Sequence, residues 1–379
     1  MKTFDAIIAG GGLIGAAIAL ELARHDLRVA LFDAQEPGHE ASWASAGILS
    51  PAPENAGMIS VVPLGKTSLA MYPQFIETVE ELSGEKTGFR TKGTIEALFS
   101  QHAREELNTI VALHHGLGLH AEALSAKEAR ELEPALSEEI EAAVLRPDEA
   151  SVDNRLLTRA VLAGARRSGA ELFSGKTVNS IWREGDLCRG VTAGGEKFAA
   201  KHTVIAAGAF SANILGVELY APVRPTKGQM VSLRCAQAQI ERVLWSERIY
   251  LVPRNDGRIL AGATVEHIGF DKTVTARGVA TNLDAAIELA PALANAQIEE
   301  TWAGLRPDTP DHLPIIGPTD GQGLLVATGH FRSGVLLTPI TATLIAEMIL
   351  GKSLSADCDR FSPLRFQSAS ENVRATAPH

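Results

Sequence analysis

Gly10-x-Gly12-x-x-Gly15 is the first pattern in the chain whose spacing can do chemistry. Glycines so placed let a backbone turn tightly, approach a pyrophosphate and pack a helix close to a strand. The helix N-terminus then offers unpaired amides and partial positive charge to the phosphates. The motif follows the apolar run Phe4 to Ala9 and precedes the Ala/Leu/Ile-rich stretch Leu13 to Arg24. Asp33 closes the next apolar run, Val29 to Phe32, where a carboxylate meets the hydroxyls of a ribose. A structural turn beside a chance acid is the plain alternative. NAD and FAD both bind through such a unit, so the rest of the chain must decide between them.

Four further runs carry candidate residues. Glu40 to Pro51, E-A-S-W-A-S-A-G-I-L-S-P, sets Gly47 among small side chains, as suits backbone lying against a flat ligand or a simple flexible loop. Trp302 to Pro307, W-A-G-L-R-P, places Arg306 among apolar and small neighbours. An unpaired buried charge is costly, so Arg306 needs a partner. Its planar fork matches a carboxylate, whether that of Asp308, of Asp311 or of a substrate. In Ile249 to Arg254, Tyr250 is one of only three tyrosines and either covers an anion pocket or packs in a sheet. Gly329 to Gly334, G-H-F-R-S-G, follows an apolar run and opens the last helix. Negative charge, such as that of a reduced flavin, is favoured beside a helix start. His330 reads there as a hydrogen-bonded structural residue.

The elements that must position these residues are interleaved. Strand, glycine turn, helix and strand within the first thirty-three residues make a βαβ unit and imply a parallel sheet. Helices are expected over Met71 to Leu82, His102 to Leu117, Lys127 to Leu132, Asn154 to Ser168 (with Asp153 as N-cap), Ala276 to Leu289 and Gly334 to Leu350. Thr203 to Ala207 and Gly323 to Ala327 read as buried strands, and the runs T-V-I-A-A-G and L-L-V-A-T-G end them in glycine. From Pro222 onward short strands alternate with turns, and Asn255-Asp256-Gly257 signals a hairpin. The fold expected is α/β in two lobes, a Rossmann-like parallel-sheet domain for the cofactor with an interleaved antiparallel-sheet substrate domain. The first takes residues 1–85, 140–221 and 300–379, the second 86–139 and 222–299. The polar tail after Pro363 is expected to fray.

Composition excludes several classes. With 45% hydrophobic and 21% charged residues the 379-residue chain is that of a globular protein, not a disordered one. A net charge of −10 without a Lys/Arg block argues against a dedicated nucleic-acid binder. Three cysteines without metal-type spacing give neither a disulfide framework nor a metal site. Asp5 and the glycine cluster interrupt any signal-peptide core, and no uncharged stretch reaches the roughly 20 residues that span a bilayer. A cytoplasmic location without integral membrane segments is therefore expected.

Taken in order, these segments resemble the FAD-dependent amino-acid oxidases of the D-amino-acid oxidase family, and within it the glycine oxidases of the thiamine pathway. The resemblance runs from Asp5 to about Gly351. It rests on the glycine fingerprint, A-S-W-A-S-A-G-I-L, I-Y-L-V-P-R, W-A-G-L-R-P and G-H-F-R-S-G-V-L-L-T-P. It implies FAD as cofactor, with Leu13 and Ile14 at the pyrophosphate turn, Asp33 and Ala34 at the ribose, and the Val178 backbone at the adenine. Ala41, Ser42, Ala46, Gly47 and Ile48 would line the flavin, and His330, Phe331, Arg332, Ser333, Gly334, Val335 and Leu336 would wrap it. Arg306 would grip a substrate carboxylate, Tyr250 would hydrogen-bond it and Arg332 would complete the pocket. Sarcosine oxidases of this superfamily attach their flavin through a Cys near the place of Gly304, so the flavin here is expected to be non-covalent. Ser333 and Val265 depart from the family's pocket pattern and bear on the choice of substrate.

The implied reaction is oxidative deamination of glycine or another small amino acid to the oxo-acid, ammonia and hydrogen peroxide, with glycine imine as the product of interest to a thiazole-building pathway. Its partners would be the amino acid and molecular oxygen, and a homo-oligomer is compatible. A dehydrogenase of D-amino acids or proline-like substrates feeding a quinone is the nearest rival, and a flavin-binding protein without turnover is a rival of a different class.

Overall fold

Every residue of Val29–Phe32, and all but the solvent-side start of Thr3–Ala9, is buried, and the two strands pair in parallel across the helix Leu13–Arg24. Burial on both faces is what a continuous apolar run, rather than an alternating one, requires. The computed structural model describes residues 2–367. Its first sheet runs in the order Ile315–Pro318, Leu324–Thr328, Glu196–Ile205, Thr3–Ala9, Val29–Phe32, Glu171–Phe173. All neighbours are parallel except the edge strand Ile315–Pro318. The hairpin Val178–Glu184 and Leu187–Ala193, unforeseen from sequence, pairs antiparallel with Glu196–Ile205.

Four helices cover one face: Leu13–Arg24, Val62–Ser83, Asn154–Arg167 and Thr338–Leu350. The other face is aromatic, with Phe32 stacked on Phe173 at 4.5 Å and edge-on to Phe198. Asp153 caps Asn154–Arg167 by accepting from the amides of Arg155 and Leu156.

The second sheet runs Gln297–Asp308, Arg224–Arg234, Arg258–Gly262, Tyr250–Pro253, Val243–Trp245, Thr94–Leu98, Ala142–Arg146, Glu122–Ser125. It departs from a wholly antiparallel sheet at one place, where Val243–Trp245 lies parallel to Thr94–Leu98. That is where strands from two separate stretches of chain meet edge to edge, so no hairpin fixes their direction. Helices Ala126–Leu132 and Ala276–Leu289 pack on one face. The other face presents Met230, Val252, Leu260 and Trp302 to Ala44 and Ala46.

Three expectations need correction. The last helix begins at Thr338, not Gly334. Pro339 lacks an N–H and suits a first helical turn but not a second, so the preceding residues form turns in which Leu337 donates to Ser333. The helix over Met71 to Leu82 is part of a longer one, Val62–Ser83, that runs through Pro73. Of the tail after Pro363 only residues 364–367 are described, and these are folded: Pro363–Phe366 forms a 3-10 turn and Arg365 pairs with Asp311 at 2.8 Å, while the expectation for residues 368–379 lies outside the described residues. No described helix is long and apolar enough to cross a membrane.

Candidate active site

The glycine turn is built as its spacing requires. Gly10 has φ +114, and a Cβ there would strike the Ala206 carbonyl, while one at Gly15 would strike the carbonyl of Gly10. Gly12 is the N-cap of Leu13–Arg24, with no side-chain cap and no acid in the first turn. The Leu13 amide finds Ser42 Oγ at 2.8 Å, and Ile14 follows it in the same turn. Asp33 accepts from the amides of Gly11 (2.8 Å) and Gln35 (2.9 Å), and burial raises its carboxyl above the usual range against those two donors. Ala34 beside it is exposed. Lys176 N donates to Asp33 O at 2.7 Å, which brings the start of the Val178–Glu184 strand against this end of the sheet. An open helix start, close backbone and a flanking carboxylate fit the pyrophosphate and ribose of a dinucleotide.

A cavity of about 800 Å³ lies between the two sheets. One wall is Ala41 with Ala46 to Ile48, another Phe331 to Ser333 with Val335 and Leu336. Gly47 has φ +71, and a Cβ there would meet the Val152 carbonyl. Asn154 Nδ2 donates to the Ser42 and Trp43 carbonyls, and Arg254 donates to the Ala46 carbonyl at 2.8 Å and to Asn154 Oδ1 at 2.9 Å. Arg254 also lies 3.6 Å from Asp153, and burial lowers its pKa from the ordinary value to about 10. It closes the run I-Y-L-V-P-R, but nothing in the sequence pointed to its reach across the cavity wall. Arg254→Met should lower unfolding stability by about 3 kcal/mol, since it leaves the buried Ala46 carbonyl and Asn154 Oδ1 without their donor, while Arg258 still pairs with Asp153 at 3.2 Å. A urea-unfolding midpoint equal to that of the parent chain would contradict this.

The second sheet supplies the third wall. Arg306 stands on Gln297–Asp308 and Tyr250 on Tyr250–Pro253, with two strands between them. Gly228 and Gly262 on those intervening strands, with Gly304, leave room around them. A Cβ on Gly228 would run into the Arg306 guanidinium, one on Gly304 into Ala44. Arg306 Nη1 donates to the carbonyls of Thr264 (3.1 Å) and Lys227 (3.3 Å). Neither acid offered by the sequence is its partner. Asp308 is engaged by His312 at 2.7 Å, Thr309 and Thr226, and Asp311 by Arg365 and Thr309. Burial lowers the pKa of Arg306 and raises that of Tyr250, each group partly offsetting the effect on the other. The Tyr250 hydroxyl therefore stays protonated and available as a donor; it now rests 3.3 Å from Met230 Sδ.

Arg332 lines the same cavity and is ion-paired with Glu54, a residue no sequence pattern singled out. Arg146, also unforeseen, pairs with Glu96 at 3.0 Å and Glu149 at 3.4 Å, and Arg248 pairs with Glu288. Among the described residues, Arg306 is thus the one cavity-lining arginine with no carboxylate partner, and no lysine lines the cavity. His330, Gly334 and Ser42 do not line it. The His330 ring meets Thr341 Oγ1 at 3.1 Å and burial pushes its pKa to about 3, the behaviour of a neutral structural histidine. Phe331, at φ +47, donates its amide to the Pro307 carbonyl at 2.9 Å and so ties the loop to the Arg306 strand.

The sequence profile described as FAD dependent oxidoreductase matches residues 5–348. A bifunctional protein ThiO/ThiG of Synechocystis sp. is 35% identical over 96% of this chain and 54% of its own length. The chain thus spans about half the length of the curated relatives that match it first. The glycine oxidase of Geobacillus kaustophilus is 35% identical over 96% of this chain and 97% of its own. Its crystal structure superposes with a TM-score of 0.91, covering 96% of this chain and 99% of that one. The crystal structure of iminodiacetate oxidase from Chelativorans sp. BNC1 is 29% identical, with a TM-score of 0.86 over 94% and 98% of the two chains.

Proposed function

The chain belongs to the FAD dependent oxidoreductase family, and on that premise we propose that it carries out the oxidative deamination of glycine or another small amino acid to the oxo-acid, ammonia and hydrogen peroxide. The observation that carries this reading is Arg306, a guanidinium facing the cavity with only two carbonyls as partners and the Tyr250 hydroxyl beside it. A carboxylate would satisfy both groups. Bound FAD would supply the hydride acceptor.

The chain's own part is positioning. Arg306 takes the carboxylate in a two-pronged contact, Tyr250 adds a hydrogen bond, and the α-carbon is thereby aimed at the wall formed by Ala46, Gly47 and Ile48. Ala44, Met230 and Val335 line the cavity beside that wall with apolar surface. No side-chain base is invoked, and Glu54 is occupied by Arg332. The likeness to glycine oxidase and to a ThiO-containing protein supports glycine as substrate and glycine imine as a precursor for thiazole synthesis. We assign the chain to the cytoplasm. Residues 1–85, 140–221 and 300–379 are proposed as the cofactor unit and 86–139 and 222–299 as the substrate unit. The strands Ala142–Arg146 and Gln297–Asp308 carry second-sheet hydrogen bonds across that division.

Anaerobic mixing of the purified yellow protein with glycine, sarcosine and D-alanine tests the reading. Flavin absorbance should bleach with these and not with methylamine, and air should then yield peroxide. No bleaching by any amino acid would refute it. Bleaching without peroxide, but with reduction of an artificial quinone, would assign the chain to the dehydrogenases instead. The flavin is proposed to be non-covalent, because Cys188, Cys235 and Cys358 are buried away from the cavity and Gly304 has no room for a side chain. Denaturation should release FAD into the supernatant; flavin that precipitates with the protein would show a covalent bond.

A further inference from the structure

Two arginines, Arg306 and Arg332, line one cavity, and the charge of Arg332 lowers the pKa of Arg306, yet only one is free to receive an anion. Arg332 is held by Glu54 from the segment that follows the flavin-lining loop, and both side chains are about a quarter exposed. Burial disfavours the charged form of Glu54, while Arg332, Arg306 and Arg146 favour it. The other cavity arginines, Arg146 and Arg248, already have carboxylate partners.

We propose that Glu54 is a specificity-determining residue: by pairing with Arg332 it masks the second cation of the cavity, so that the site accepts amino acids with one carboxylate and rejects those with two. This rests on the substrate reading given above. A dicarboxylate has one anion for Arg306 and needs a second cation for the other. With Glu54 in place that second anion meets a neutralised arginine and a like charge, a repulsive element of the kind that sets specificity. Removing the carboxylate would expose Arg332 as a second anion site at no cost to the first.

The test compares Glu54→Gln with the parent FAD holoenzyme in two ways. Acetate and malonate, which are not oxidised, are titrated against the flavin spectrum, and sarcosine and iminodiacetate are compared as substrates. In Glu54→Gln the malonate-to-acetate affinity ratio and the iminodiacetate-to-sarcosine kcat/KM ratio should both rise about tenfold or more, the scale of one charge-assisted contact. Arg332→Met leaves Glu54 unpaired and should move both ratios the opposite way, which keeps the test alive if Glu54→Gln does not fold. The double variant Glu54→Gln/Arg332→Met should lose the gain. Ratios that stay within about twofold in all variants would overturn the proposal. If the parent holoenzyme oxidises neither sarcosine nor glycine, the substrate reading falls, while the malonate titration still decides the role of Glu54.

Discussion

Arg306→Ala is expected to lower kcat/KM for glycine or sarcosine by about 10²- to 10³-fold or more, the equivalent of roughly 3–5 kcal/mol for losing one member of a buried charge pair. The guanidinium has no acid of its own to leave behind, since Asp308 and Asp311 are committed to His312 and Arg365. What the variant loses inside the protein is two hydrogen bonds to the carbonyls of Lys227 and Thr264. Stability should therefore change little, and flavin content should hold, because the glycine turn and Asp33 lie elsewhere in the fold. An amine without a carboxylate should lose little further in the variant. Equal losses for both kinds of substrate, or a chain that no longer folds, would make Arg306 a structural residue.

Gly12→Val is expected to abolish retention of FAD. Gly12 is the N-cap of the helix and offers no side-chain cap, and a Cβ there already comes within 3.1 Å of Ser42 Oγ. A β-branched side chain would stand where the pyrophosphate must approach the amides. Losing two hydrogen bonds to a charged group, at about 1.5–3 kcal/mol each, weakens binding by about 10²-fold or more. The φ of −68 at Gly12 is open to valine, so the chain should fold. The purified variant should be colourless with an unchanged far-ultraviolet circular dichroism spectrum. A folded variant that keeps its flavin would show the cofactor site to be misassigned.

The glycine turn was legible because its chemistry is local: turn, helix start and the Asp33 strand lie within one βαβ unit. The hairpin at Asn255-Asp256-Gly257 was legible for the same reason, and Gly257 sits there at φ +85. Arg306 could not be decided from its neighbours. Asp308 and Asp311 are next to it along the chain, but their partners come from His312 and from Arg365 beyond the last helix. Glu54 and Arg254 were missed because each acts on residues distant in sequence, Arg332 and Ala46, across a wall that exists only once both sheets are in place. The last helix starts later than its apolar run Gly334 to Leu350 suggests, because Pro339 belongs in a first turn. Periodicity gives a helix's face more securely than its first residue.

The strand Leu324–Thr328 is an interior member of the parallel sheet, paired with Glu196–Ile205 on one side and Ile315–Pro318 on the other. During synthesis it leaves the ribosome after the other described strands. Until then Thr203 to Ile205 present an open edge of buried-type residues, ready to pair with another chain. The Phe331 to Leu336 wall of the cavity follows it, so on the proposed placement of the flavin a nascent chain would not hold the cofactor firmly before this wall has emerged. Flavin supply should thus act late, as a ligand that draws this strand and the helix Thr338–Leu350 into place and withdraws the sticky edge from circulation.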